Sequence, residues 1–209
     1  ASNGVAIRAW LAWAAVDGSP GMRDFALRSI DRVWETSFDK LGVLLRRGSL
    51  GEVMTWPQLS DQVEMGRALV YAWRMCKRTR DLERAVGLGR VLLAKFEDGD
   101  HGFMTQARPK KDGTIKKAPC DPAENAAAAR FLAELSAATG EPVFHEAGRR
   151  ALDAFEKGQG KSRDGGLAAD GALALRALLT PELPAMPAWR AAAPPAPAQP
   201  RVLIIPHRR

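Results

Sequence analysis

Two carboxylates near the middle of the sequence have a spacing that acid–base chemistry can use. Asp61 and Glu64 are three positions apart at the start of a segment with helical periodicity, so a helix there places both on one face. The same pattern is typical of a helix N-terminus, where acidic side chains cap free N–H groups. We name Asp61 and Glu64 as candidate catalytic residues, and we favour capping as the interpretation of the pattern.

Three further residues have side chains that suit a ligand such as a sugar. Trp56 lies just before the helix of Asp61 and offers a stacking surface, although a lone tryptophan is more often a core residue. Asn3 and Asn125 both occur at predicted helix entrances, where an amide either caps the backbone or points into a cavity. Capping is the favoured account, and Asn3, Trp56 and Asn125 remain candidate ligand-binding residues.

Other kinds of site find no support in the sequence. Cys76 and Cys120 form no C-x-x-C pair, and the three histidines share no motif. The acidic loop 96–103 does not have the spacing of a calcium loop. We therefore expect no metal site and no cofactor, and we expect Cys76 to serve as core filler.

Apolar residues recur at helical spacing along most of the chain, while strand-like alternation is almost absent. Short polar connections such as Thr139 to Pro142 are typical of turns between antiparallel helices, and Asp121 with Pro122 marks a clear helix start. The pattern predicts helices at about 4–16, 21–38, 61–78, 82–96, 122–138, 143–157 and 167–179.

The predicted hairpins also resemble one another. With Asn3, Asp61 and Asn125 in register, at spacings of 58 and 64, each is followed by a helix, a tight turn, a second helix and a glycine-bearing loop. A hairpin cannot bury both faces alone, so stacked hairpins share a core and curve into a solenoid or ring. The sequence predicts an all-α fold of repeated antiparallel helix hairpins that forms part of an (α/α) toroid.

The composition changes after Thr180. Residues 181–200 are rich in proline and alanine, which favours an extended linker, and residues 202–205 form a short β-branched run before Pro206. We predict a helical segment at 1–180 and a tail at 181–209 that ends in one short strand.

Charge and hydropathy limit the partners. The net charge is +7, and the basic loop 108–117 and the tail 181–209 account for all of it, so the helical body is close to neutral. No run is long and apolar enough to span a membrane, and no secretory signal is visible. We expect a soluble chain with no membrane partner, in the cytoplasm rather than exported. Because Ala1 is not a methionine, we expect the start to have been trimmed, which leaves open a lost signal or an upstream domain.

Six short segments occur along the chain in the order Asn3-Gly4, Leu59-Ser60-Asp61, Phe96 to Thr105, Glu124 to Ala127, Thr139-Gly140 and Val202 to Ile205. Together they resemble the C-terminal helical region of the DUF255-type thioredoxin-domain-containing proteins. The resemblance implies a toroid similar to six-hairpin glycosidases, with a thioredoxin-like domain and earlier hairpins upstream. Gln62 stands where that family has an aromatic residue near the presumed cavity mouth, and it is our fourth candidate ligand-binding residue.

The sequence leaves three functions open, which we give in order of preference. The first is a non-catalytic helical module that packs against, or presents substrate to, a thioredoxin-like domain or the remaining hairpins, in cis or in trans. The second is a carbohydrate-active enzyme, glycosidase- or epimerase-like, that binds a small carbohydrate in the toroid cavity. The third is a binder of an acidic surface or nucleic acid through the loop 108–117. Fold alone does not separate the first two, and we expect the chain by itself to be non-catalytic.

Overall fold

The computed structural model describes residues 1–40, 42–46, 52–53, 56–107, 119–159 and 165–180, and their regular structure is helical apart from isolated β-bridges. A π-helical turn, Leu92–Phe96, follows α4, and a 3₁₀ turn, Gly99–His101, precedes α5. The α-helices in chain order are α1 (Ser2–Asp17), α2 (Pro20–Ser37), α3 (Leu59–Cys76), α4 (Thr79–Val91), α5 (Pro122–Thr139), α6 (Pro142–Gln159) and α7 (Gly165–Leu179).

Local signals set the helix ends. The Asp121 side chain accepts a hydrogen bond of 2.9 Å from the backbone N–H of Glu124, and Pro122 occupies the first helical turn, as expected from the sequence. Gly18 and Gly140 end α1 and α5 in the left-handed conformation. The third and fourth helices begin two to three residues earlier than predicted, so Asp81 lies in the first turn of α4 rather than in a connection.

Three hairpins follow from these helices: α1 with α2, α3 with α4, and α5 with α6. The first helices of the hairpins contact one another in order, α1 to α3 to α5, and α7 packs on α5 to continue this layer. The second helices of the hairpins, α2, α4 and α6, lie on one side of this first-helix layer. The prediction of repeated helix hairpins is confirmed.

Close contact between α3 and α5 depends on a glycine. A Cβ atom added to Gly66 would overlap with the ring of Phe131, which is fully buried between the two helices. Phe131 belongs to a core that also contains the fully buried Phe96, Phe103 and Phe144. One continuous core therefore joins the hairpins and fixes how the first-helix layer is assembled.

An ion-pair cluster joins α2 to α4 on the second-helix side. Arg78, Arg80 and Arg84 each place a guanidinium nitrogen within 2.7–2.8 Å of the Asp31 carboxylate. Burial opposes ionisation of Asp31, but hydrogen bonds from Arg84 and Arg78 outweigh it and lower the pKa of this carboxyl. Asp81 is fully buried beside Arg78, and burial raises its pKa.

Both end helices of the first-helix layer keep an exposed apolar stripe. On α1 the stripe consists of Val5, Ala9, Trp13 and Val16, and Trp13 is 63% exposed. On α7 it consists of Ala168, Ala172, Leu175 and Leu179, and Leu179 is 72% exposed. An apolar helix face with this spacing is normally packed against another element. Among the described residues, the layer thus ends in an uncovered apolar face on each side.

Candidate functional site

Gln62 holds the loop that precedes α3. Its side-chain oxygen accepts a hydrogen bond of 2.8 Å from the backbone N–H of Leu44, and its side-chain nitrogen donates one of 2.8 Å to the carbonyl of the same residue. The nitrogen also donates to the carbonyl of Gln58 at 3.1 Å. Gln62 is fully buried, so its amide satisfies both backbone groups of Leu44, which would otherwise be costly to bury.

Asn125 makes the same contact at the start of α5. Its oxygen accepts from the N–H of Phe103 at 2.8 Å, and its nitrogen donates to the carbonyl of Phe103 at 2.9 Å and to that of Asp121 at 2.9 Å. We call these two arrangements the amide clamps. Asn125 does not cap α5, because Asp121 does so, and the expectation of capping by Asn125 is wrong.

The amide clamps correct the register of the repeat. Gln62, and not Asp61, is the counterpart of Asn125, so the two hairpins match one residue further along α3 than the sequence comparison assumed. Both amides were candidate ligand-binding residues, and both are engaged with backbone groups in this structure. A direct contact of either with a ligand stays a prediction.

Asp61 is buried at the start of α3 and is ion-paired. Its carboxylate accepts hydrogen bonds from Nε of Arg46 at 2.6 Å and from a terminal nitrogen of Arg46 at 3.2 Å, and it also contacts the amino group of Ala1. The N-cap residue of α3 is Gln58, which makes no capping bond with its side chain. The structure therefore gives no support to helix capping by Asp61, the interpretation that the sequence favoured.

Glu64 lies one turn further along α3 and has different partners. Its carboxylate contacts a guanidinium nitrogen of Arg8 on α1 and lies 3.2 Å from one of Arg67 on α3. Arg67 also approaches Glu134 on α5 at 3.7 Å, and Arg130 lies 3.2 Å from Glu134. These residues form an arginine–glutamate ladder across three helices. Asp61 and Glu64 share no partner among these contacts, so the structure does not bring the two predicted carboxylates together in one ion-paired site.

Glu124 is the carboxylate that the sequence did not single out for chemistry. Burial raises its pKa, the charges of Asp121 and Asp61 add to that shift, and a hydrogen bond from Ser60 and the charge of Arg46 oppose it. Its Oε2 atom is buried without a hydrogen-bond partner in the part of the chain that the structure describes. A proton on Glu124 is therefore retained to higher pH than on an ordinary glutamate.

Asp61, Arg46, Ser60 and Glu124 together form what we call the entrance cluster, at the first turns of α3 and α5. A carboxyl with a raised pKa near an ion-paired carboxylate is an arrangement that acid–base catalysts use. In the sequence, Glu124 has the position of a capping-box residue, and its proximity to α3 depends on a contact between residues 60 and 124 that no local pattern reveals.

The other two ligand candidates are exposed. Asn3 lies in the first turn of α1, which has Ala1 as its N-cap residue, so Asn3 does not cap this helix. Trp56 is 53% exposed, and its carbonyl accepts a hydrogen bond from the side chain of Gln58. Trp56 is therefore not a core residue, and its role as a stacking surface stays a prediction.

The remaining expectations concern metals, thiols and basic segments. Within the described ranges, no group of three or more His, Cys, Asp and Glu side chains could hold a metal ion. Cys76 is half-buried rather than in the core, and burial raises the pKa of its thiol.

The basic loop 108–117 and the tail 181–209 with its predicted strand lie outside the described residues. No described helix has the length and apolarity needed to cross a membrane.

The sequence matches no protein-family profile and no curated protein. The structure is similar to that of a family 76 glycoside hydrolase, a mannosidase, from Bacteroides thetaiotaomicron, with a TM-score of 0.65 and 14% sequence identity. The match covers 85% of this chain and 51% of the other, so the chain spans about half the length of that protein. At this identity the similarity concerns the fold alone. It confirms the prediction that the helix hairpins form part of an (α/α) toroid.

Proposed function

We propose that this chain is a non-catalytic helical module that packs against further helix hairpins, either on the same polypeptide or on a partner. The exposed apolar stripes on α1 and α7 carry this proposal, since they lie on the two end helices of the first-helix layer, where a longer toroid adds neighbours. The match over half the length of a toroidal protein supports it.

The carboxylates support the same function. Asp61 is neutralised by Arg46, and Glu64 is placed between Arg8 and Arg67. A carboxylate held by a bidentate or doubled arginine contact is a poor general base, because proton uptake would break the ion pair. The module's thioredoxin-like partner domain, implied by the family resemblance, is part of this proposal, and the module would hold that domain or its substrate in position.

The first test is the intact mass of the natural protein, isolated through a tag placed after Arg209. We expect either a polypeptide well above 22.7 kDa or a stable complex of that chain with a second one, with additional hairpins in each case. A monomer of about that mass, isolated without a partner, would overturn the proposal.

Substitutions in the stripes locate the contact. Trp13→Glu and Leu179→Glu should destabilise the longer protein or complex and leave the thermal midpoint of the isolated 209-residue chain nearly unchanged, since both side chains are exposed in it. Val143→Glu is the matched control, because Val143 is also an exposed apolar residue but lies on α6, outside both stripes. Equal behaviour of all three variants in the longer protein would contradict the assignment.

One observation favours a second candidate, a carbohydrate-active enzyme. The pKa of Glu124 is raised close to Asp61, which accepts hydrogen bonds from Arg46, and the structurally similar protein is named as a mannosidase. An enzyme of this kind predicts release of reducing sugar from mannan or from an aryl mannoside. Glu124→Gln should lower that rate at least about 100-fold, whereas Glu146→Gln, an exposed change on α6, should not. Absence of activity in the full natural protein would exclude this candidate.

A further inference from the structure

A groove of about 390 Å³ runs along the first-helix layer. Its walls come from α1, α3 and α5, and no residue of α2, α4 or α6 lines it, so it lies on the face of the layer turned away from the second helices. The volume lies within the range of small-molecule sites. The polar residues of its lining are Arg8, Arg67, Tyr71, Arg74, Arg130 and Glu134.

The charges in this groove do not balance. Three arginines of its lining, Arg8, Arg67 and Arg130, are paired with two carboxylates, that of Glu134 in the lining and that of Glu64 beside it, which leaves an excess of positive charge. Close packing of like charges is unfavourable in a partly buried site. Burial and the neighbouring Arg67 lower the pKa of Arg8, in accord with this crowding.

Two arginines that line the groove also have an N–H group without a hydrogen-bond acceptor. The Nε atoms of Arg8 and Arg67 are buried and have no hydrogen-bond partner among the described residues. The Arg67 side chain is only 8% exposed, and its Nε lies 3.7 Å from Oε2 of Glu134, beyond hydrogen-bond distance. A buried donor without an acceptor is costly. The ladder joins the three helices, but that role alone explains neither the excess charge nor these unsatisfied donors.

We propose that this groove binds a small organic molecule that carries a phosphate or carboxylate group. The anionic group accepts hydrogen bonds from Arg8, Arg67 and Arg130, because planar guanidinium groups match both kinds of oxyanion. Tyr71 and the apolar residues of the groove contact the rest of the molecule. This site is separate from the entrance cluster, but it shares Val5 and Ala9 with the apolar stripe on α1. A hairpin packed on that stripe would therefore add to the wall of the groove, and the test below uses the 209-residue chain alone.

The test uses isothermal titration of the 209-residue chain with inorganic phosphate and, separately, with citrate. Sodium chloride at the same ionic strength is the reference. We expect saturable binding of at least one of the two anions. Binding of phosphate alone would identify a phosphate ester as the ligand class, and binding of citrate alone would identify a carboxylic acid.

Two arginines with similar ion pairs provide a matched comparison. Arg130→Gln should raise the dissociation constant about tenfold through loss of a charge-assisted contact. Arg90→Gln should change it less than about twofold, because Arg90 pairs with Glu141 outside the groove. Arg130→Lys keeps the charge and should give an intermediate loss, and circular dichroism establishes that each variant is folded.

Two results would overturn the proposal. One is the absence of saturable binding of either anion to the unmodified chain. The other is an equal loss of binding in the Arg90 and Arg130 variants, since this would mean general electrostatic attraction rather than a site in the groove.

Discussion

The starts of α3 and α5 perform the same task with different residues. At each, a buried amide side chain clamps the backbone of a preceding loop, Gln62 to Leu44 and Asn125 to Phe103. The carboxylate one position earlier differs between the two: Asp61 is ion-paired with Arg46, whereas the pKa of Glu124 is raised by burial. The comparison indicates that the amide has a structural role common to both repeats, while the environment of the carboxylate is specific to each.

The largest expected effect follows from removing the clamp of α5. Asn125→Leu leaves the N–H and carbonyl of Phe103 buried without partners, and we expect the free energy of unfolding to fall by about 4 kcal/mol. Urea denaturation measures it. Asn3→Leu is the control, since Asn3 is exposed, and its effect should stay within about 0.5 kcal/mol. Equal effects of the two changes would mean that the clamp does not stabilise the fold.

Gly102 sharpens the difference between the two clamped loops. The residue before Phe103 is a glycine with φ +76°, whereas Val43 precedes Leu44. A Cβ at Gly102 would overlap with Oδ1 of Asn125 and the Cβ of Ala154, so Gly102→Ala should cost about 3 kcal/mol. Gly99→Ala, at φ +55° but in open space, should cost about 1 kcal/mol. Thermal denaturation compares the two, and a larger loss at Gly99 would contradict this account.

The clamp of α3 should contribute less. Gln62→Met frees the N–H and carbonyl of Leu44. Val43 before Leu44 is buried but Leu45 after it is half-buried, whereas Gly102 and Met104 on both sides of Phe103 are buried, so water reaches the freed groups more easily than at Phe103. We expect a loss of about 2 kcal/mol in urea denaturation. A loss larger than that of Asn125→Leu would reverse the ranking of the two clamps.

How far the sequence predicted these features depends on the range of the contacts. The helices were predicted to within a few residues because their caps, such as Asp121 and Gly140, act on neighbouring residues. The backbone groups that the amide clamps bind could not be predicted, because Gln62 and Leu44, like Asn125 and Phe103, are far apart in the sequence. The predicted alignment of the repeats differs from the observed one by one residue. Only the folded backbone shows that Gln62 binds the loop before α3 in the way that Asn125 binds the loop before α5.

The arginine–glutamate ladder was missed for the same reason. Arg8 and Glu64 lie on different hairpins, and only the packing of α1 on α3 brings them together. The local spacing of Asp61 and Glu64 suggested a shared site, whereas tertiary contacts gave each carboxylate separate arginine partners.

The smallest expected effect concerns the pH dependence of stability that arises from the carboxyl group of Glu124. The pKa of Glu124 in the folded protein lies above the unfolded value of about 4.3. Its contribution to stability is therefore complete below that pH and is lost as the pH rises through the folded-state pKa. Glu124→Gln does not titrate at this position, so the variant should become more stable relative to the unmodified chain as the pH is raised from 4 to 8. Urea denaturation at both pH values measures this difference, and a change of opposite sign would contradict the raised pKa.

The amide clamps also bear on how such a protein can vary in evolution. Each clamp fastens the chain at two points, Leu44 to Gln62 and Phe103 to Asn125, and the second pair encloses the basic loop 108–117. The entropy lost on closing a loop grows only with the logarithm of its length, about 0.6 kcal/mol for each doubling. Insertions between the fastened points therefore leave the helix layer nearly undisturbed, and these two intervals are where related chains can acquire new segments without losing the fold.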